Sequence, residues 1–229
     1  MLKLVELSYQ IFPRIRTSVI AFSFLILVLV FIFIILNVSG TAFRKLGFPP
    51  EYSVYFLFLS LLCSYINIPI KKVGSHVPVI SDNASDVLRS GLSASSLKMY
   101  STIAVNIGGA VIPLIMSLFL FSMAKPVEVL SGILLVTIII HKIARPVKGS
   151  GIVIHALLPP LLAAFVAIII SPQNAPVIAY ISGTFGCILG IDILNLKRIP
   201  DLGVPLVSIG GAGTFDAIFL TGIISVLLA

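Results

Sequence analysis

"SIGGAGTFDAIFLTGIISVLLA", residues 208–229, holds one carboxylate, Asp216, in an otherwise apolar, small or weakly polar run, with glycines at 210, 211 and 213 before it. A charged side chain at mid-membrane costs roughly 2.5–3.5 kcal/mol on insertion scales, so such residues are usually functional or paired. In a continuous helix from Val204, Asp216 would lie about 18 Å deep. The glycines argue otherwise, since each costs about 1 kcal/mol against Ala in a helix interior. If "PLVSIGGAGT" (205–214) is irregular and helix begins near Thr214, which can cap it, residues 215–229 cover only about 22 Å and Asp216 sits near one boundary. Irregular backbone at that depth must lie beside protein or line a water-filled cavity.

The rest of the chain supplies the solvent. Of 229 residues, 59% are hydrophobic and 10% charged, a balance that excludes an ordinary soluble domain. Seven apolar runs stand between polar punctuation, at about 18–38, 52–70, 100–122, 126–141, 151–171, 175–195 and 204–229. The first is too long for a signal-peptide core and reads as a retained helix. The predicted fold is therefore an all-α polytopic transmembrane bundle of about seven spans, one integral membrane domain over 1–229, with the last span broken at its Gly-rich stretch. Residues 1–17, apolar at 2, 4, 5, 8 and 11, read as an amphipathic helix lying on the inner surface. Residues 71–99 form the one long loop, on the cytoplasmic side.

Charge sets the direction. Twelve Lys and Arg fall before the first span and in the second, fourth and sixth loops; only Arg44, Lys45 and Lys125 fall on the other side. The positive-inside rule then places the N-terminus in the cytoplasm and the C-terminus outside. The net charge of +7 is explained by topology and anionic headgroups, and nucleic acid is not a partner. Cys63 and Cys187 lie on different spans and form no disulfide or metal framework.

Two acids lie inside apolar runs: Asp216, and Asp192 in "GCILGIDILNLKRIP" near the cytoplasmic end of the sixth span. Once the last helix is shortened, both share one depth. Facing carboxylates cannot both ionise, so one holds a proton and the pair can act as acid and base. Asp192 and Asp216 are thus the candidate catalytic residues. Gly210, Gly211, Gly213, Thr214, Asn195, Asn106 and His155 are the candidate cavity-lining residues. Asn67, Asn106 and Asn195 also read as interhelical hydrogen-bonders. Pro159 and Pro160 predict a kink in the fifth span. No spacing of His, Cys or acids resembles a metal motif, and no cofactor is expected. "IGGA" occurs at 107–110 and 209–212, and "GTF" at 183–185 and 213–215, a faint echo of helices broken at equivalent places.

The C-terminal third, with "NIGGAVIP" and "SYINIPI", resembles an uncharacterised family of prokaryotic multi-pass membrane proteins with a signature similar to "SIGGAGTFDAIFLTGII". That resemblance implies a prokaryotic plasma membrane and no activity. More distantly, "GIDILNLKR" followed by "GGAGTFDAIFLTGII" resembles the two catalytic stretches of the presenilin and signal peptide peptidase group of intramembrane aspartyl proteases. It implies that Asp192 matches the first catalytic aspartate and Asp216 the second, with transmembrane peptides as substrates. Ile191 stands where that group has an aromatic, and Thr214 and Phe215 separate the last glycine from Asp216. An ion- or proton-coupled carrier using the same acids, or a non-catalytic membrane scaffold, are the alternatives.

Overall fold

The computed structural model describes residues 2–76, 100–211 and 217–229, and within them the side chains of 22, 24–76, 100–211 and 218–229. The protein is predominantly helical. Among the described residues there are seven α-helices: α1 Leu2–Lys45, α2 Tyr52–Cys63, α3 Ile112–Phe121, α4 Pro126–Ile143, α5 Leu158–Ile170, α6 Ala175–Cys187 and α7 Ala217–Leu228. Five short strands join them: β1 Asn67–Gly74, β2 Tyr100–Asn106, β3 Arg145–Val147, β4 Gly151–Val153 and β5 Leu206–Ile209.

The strands correct the sequence reading. Four runs expected to be continuous spans, 52–70, 100–122, 151–171 and 204–229, each divide into a helix and a strand. Hydropathy alone does not separate an apolar strand from an apolar helix, and a strand covers about 3.3 Å per residue against 1.5 Å. Residues 71–74 belong to β1, so the expected loop 71–99 starts late, and its remainder beyond His76 lies outside the described residues. Residues 2–17 are not a separate element either, because α1 runs unbroken for 44 residues, about 66 Å. Nor do Pro159 and Pro160 kink a helix. They occupy the first turn of α5, where no intrahelical partner awaits an N–H.

Strands β1, β2 and β5 form one sheet in that order, β1 antiparallel to β2 and β5 parallel to it. Thr102 pairs with Leu206 and Val105 with Ile209. The outer strand β1 carries Lys71, Lys72 and a register shift at Pro69–Lys71, which blunt it against further pairing. Strands β3 and β4 form a separate hairpin, turning tightly through Gly149. The sheet and hairpin gather the ends of α2, α4 and α6 with the starts of α3, α5 and α7. His76 N–H donates to the Pro200 carbonyl, Gly149 N–H to Leu202 and Ser101 Oγ to Val204. At the far end Lys45 Nζ donates to the Leu227 carbonyl and Phe48 packs on Phe119.

Helix α6 is the hub. Its small residues let neighbours come close: Ser182 faces Gly132, and Gly186 faces Val136 of α4, while Gly183 faces Thr221 of α7 and Ala163 of α5. Among the described residues three helical stretches are long and apolar enough to cross a membrane: Phe24–Lys45, Pro126–Ile143 and Pro172–Asp201. Only 11% of the first is buried against 67% of the third, so α1 is peripheral and offers its Phe, Leu and Ile side chains outward. A contiguous apolar surface of that size suits hydrocarbon.

Candidate functional site

Two breaks in helical structure frame the site. The first follows β2, where Ile107–Val111 forms a π-turn leading into α3. Fully buried Asn106 caps it: Oδ1 accepts from Gly109 N–H at 2.7 Å, while Nδ2 donates to the Ser64 carbonyl and to Asn67 Oδ1 at 3.0 Å. Ser208 Oγ of β5 donates to the same Asn67 oxygen. The two asparagines thus bind the end of α2, the start of α3 and strand β5 into one polar knot.

The "IGGA" echoes meet here. Gly109 lies against the carbonyl of Gly210, and a Cβ on Gly210 would sit 2.6 Å from the Ala110 nitrogen. Gly210 and Gly211 have φ of +86° and +84°, the left-handed region that favours glycine. Strand β5 therefore ends in a backbone turn pressed onto the first break.

The second break follows α6. Ile188–Asp192 forms another π-turn, succeeded by a 3₁₀ stretch, Ile193–Asp201. Fully buried Asn195 donates from Nδ2 to the Gly190 and Ile191 carbonyls, both at 3.0 Å, and stands 3.2 Å from His141 Nδ1 of α4. Loosened helical carbonyls are a usual consequence of a π-turn, and Asn195 takes up two of them.

Between the second break, β5 and the hairpin lies a cavity of about 310 Å³. Half-buried Asp192 lines it with Ser150, Ile191, Ser208 and Gly211, and the segment from Gly151 to Ile154 makes the opposite wall. Of the expected site residues, Asp192 and Gly211 are brought together on this cavity. Gly210 is buried beside it against Gly109. Asn106 and Asn195 do not line it; each holds one of the breaks. His155 lines a different cavity, of about 580 Å³, with Arg145. Val153 and Ile154 belong to both cavities and separate them. Gly213, Thr214 and Asp216 lie outside the described residues. Among the described residues no three His, Cys, Asp or Glu side chains gather into a metal-binding group.

Sequence reasoning missed Ser208 and Ser150. Their only signal is position: Ser208 follows two apolar residues in a segment taken for helix, and Ser150 sits in the Gly149–Gly151 turn.

Residues 61–228 match the family described as protein of unknown function (DUF1614). The chain belongs to that family. The matched segment runs from the last turn of α2 to the end of α7, so it contains the sheet, both breaks and the Asp192 cavity, and leaves α1 outside. No curated protein and no solved structure matches. The DUF1614 segment is thus self-contained with respect to the candidate site: every residue named on the cavity falls within it.

Proposed function

We propose that this DUF1614 protein is a multi-pass membrane hydrolase of the intramembrane aspartyl protease type, using Asp192 and Asp216 at the cytoplasmic end of a seven-span bundle. The observation that carries the reading is the cavity shared by Asp192 and Gly211. Asp216 follows Gly211 by five residues, a length of chain that reaches at most about 17 Å, so the sequence allows the second acid to come to the same cavity. The left-handed Gly210–Gly211 turn supports a last span that is broken rather than continuous, and the alternation of seven helices with twelve cations on one side supports N-terminus in, C-terminus out. The membrane in this reading is a prokaryotic plasma membrane.

The chemistry follows from two carboxyl groups sharing one proton. The ionised acid takes a proton from water as its oxygen attacks a peptide carbonyl carbon; the protonated acid gives its proton to the carbonyl oxygen. The tetrahedral diol then collapses: its C–N bond breaks, the departing amine takes the proton first removed from water, and one diol hydroxyl returns its proton to the other carboxylate as the product carboxyl group forms. Substrates are transmembrane peptides whose helix must open to expose a carbonyl. Purified protein in liposomes with a reporter transmembrane peptide tests this. Cleavage lost in both Asp192→Asn and Asp216→Asn, with folding intact, supports it; equal cleavage in the two variants and the parent rejects it.

A second reading has its own observation, the first break and the turn after β5 pressed together at Gly109 and Gly210, which resembles how discontinuous segments frame ion sites in carriers. It calls for gradient-driven proton or sodium flux in liposomes, abolished by the same substitutions.

A further inference from the structure

The larger cavity, on the other side of Val153–Ile154, has no part in the hydrolase reading. It is lined by Ile143, Arg145, Val147, Val153, Ile154, His155 and Ala156. Two of these are cationic or able to become so, the rest are aliphatic, and none is acidic. Among the described residues Arg145 forms no ion pair. Lys142 and Lys148 flank the same stretch of chain, adding positive charge. The cavity sits where α4, one of the helices long enough to cross a membrane, ends at Ile143.

An apolar wall with a cationic rim fits an amphiphile better than a free ion, because a bare phosphate would leave the aliphatic lining uncovered. The surface beyond the cavity continues the pattern. Leu157, Leu161, Phe165 and Ile169 follow at every fourth position along α5, so they form one slowly turning stripe, and all four are exposed. The stripe begins one residue after Ala156 and runs toward the far end of the bundle.

We propose that this cavity binds the headgroup of an anionic phospholipid, its phosphate held by Arg145 and His155 and an acyl chain lying along the α5 stripe. Arg145 offers the planar fork of donors that matches phosphate oxygens, and its exposed side chain leaves those donors open to an incoming headgroup. The site needs a membrane around the protein but is independent of the Asp192 chemistry, so either proposal can fail without the other.

The full-length protein is purified in neutral detergent, and bound lipid is counted by native mass spectrometry after titration with phosphatidylglycerol or with phosphatidylcholine of the same chains. The expected result is at least fivefold preference for the anionic lipid at one site. The preference falls to near unity in the double variant Arg145→Gln, His155→Gln and in Ala156→Phe, which fills the cavity without touching charge. Lys197→Gln, which removes a cation from the same end of the bundle but not from the cavity, keeps it. Equal loss in Lys197→Gln overturns the proposal in favour of diffuse surface charge. Glycerol phosphate that competes at the same concentration as the lipid overturns it in favour of a headgroup-only anion site. Unchanged preference in Ala156→Phe, whose thermal unfolding is measured alongside, overturns the cavity as the location.

Discussion

Gly109 lies within van der Waals contact of the Gly210 carbonyl, which leaves no room for a side chain on either residue. This one contact locks the strand-to-helix turn after β2 onto the turn after β5.

Gly109→Ala should therefore destabilise the protein strongly. The clashing atom is backbone rather than a flexible side-chain tip, so relief requires the two turns to separate. Overpacking of this kind costs typically 1–3 kcal/mol, and here the upper end is expected. Gly74→Ala is the control: nothing lies within 4 Å of its added methyl and its φ is not left-handed. Thermal unfolding in detergent should fall clearly for the first variant and stay within a degree or two for the second.

Asn106→Ala should be nearly as damaging. It removes the cap on Gly109 N–H and the donor to the Ser64 carbonyl, leaving both buried. A buried group stranded this way costs about 1–3 kcal/mol. Asn195→Ala removes the donor to two carbonyls of the second break, at a similar expected cost. Because the Asn195 bonds lie next to Asp192, that variant should also lower any Asp192-dependent activity by more than its loss of stability explains. An activity that tracks stability alone, measured at matched folded fractions, would remove Asn195 as a positioning residue.

The helical character and the apolar segmentation were legible in the sequence, because period and run length report directly on burial. What stayed hidden was the conversion of four run ends into strand. "YSTIAVN" and "PLVSI" are short and apolar, and nothing local marks them as strand until Asn106 and the glycines are seen to face each other from segments a hundred residues apart. The "IGGA" echo held that information, yet its spatial meaning is a contact and not a symmetry. Sheet pairing matches Asn106 with the neighbourhood of Gly210, two positions out of step with the sequence echo. Asp192 was legible because a carboxylate in an apolar run is anomalous by itself. The cavity wall was not, since Ser208 and Gly151 acquire their roles only through pairing across distant strands.

The proposed seven-span arrangement would make Lys72 and Lys125 markers of opposite faces. With both native cysteines replaced by serine, Lys72→Cys should react with a membrane-impermeant maleimide only from the cytoplasmic side, and Lys125→Cys only from the outside. Both side chains are exposed, so accessibility is not limiting. Labelling of both cysteines from the same side would mean that an odd number of spans does not separate β1 from the start of α4.

The parallel pairing of β2 with β5 is open to direct attack by crosslinking. Thr102 and Leu206 are register partners, so their Cα atoms should lie about 5 Å apart, within the range a disulfide bridges. In the cysteine-free background, Thr102→Cys with Leu206→Cys should crosslink rapidly under mild oxidant, detected after a single protease cut is introduced at the exposed turn near Lys125. Thr102→Cys with Ser225→Cys should not, because Ser225 lies two turns into α7, away from the sheet. If 100–122 and 204–229 were instead continuous membrane helices, residues 102 and 206 would face each other only by the chance rotation of two rods, and Ile103→Cys with Val207→Cys would not crosslink alongside them. Strand pairing requires both neighbouring pairs to close, since adjacent residues in a ladder hold the same separation on opposite faces of the sheet. Closure of one pair without the other would leave the sheet, and with it the wall of the Asp192 cavity, without foundation.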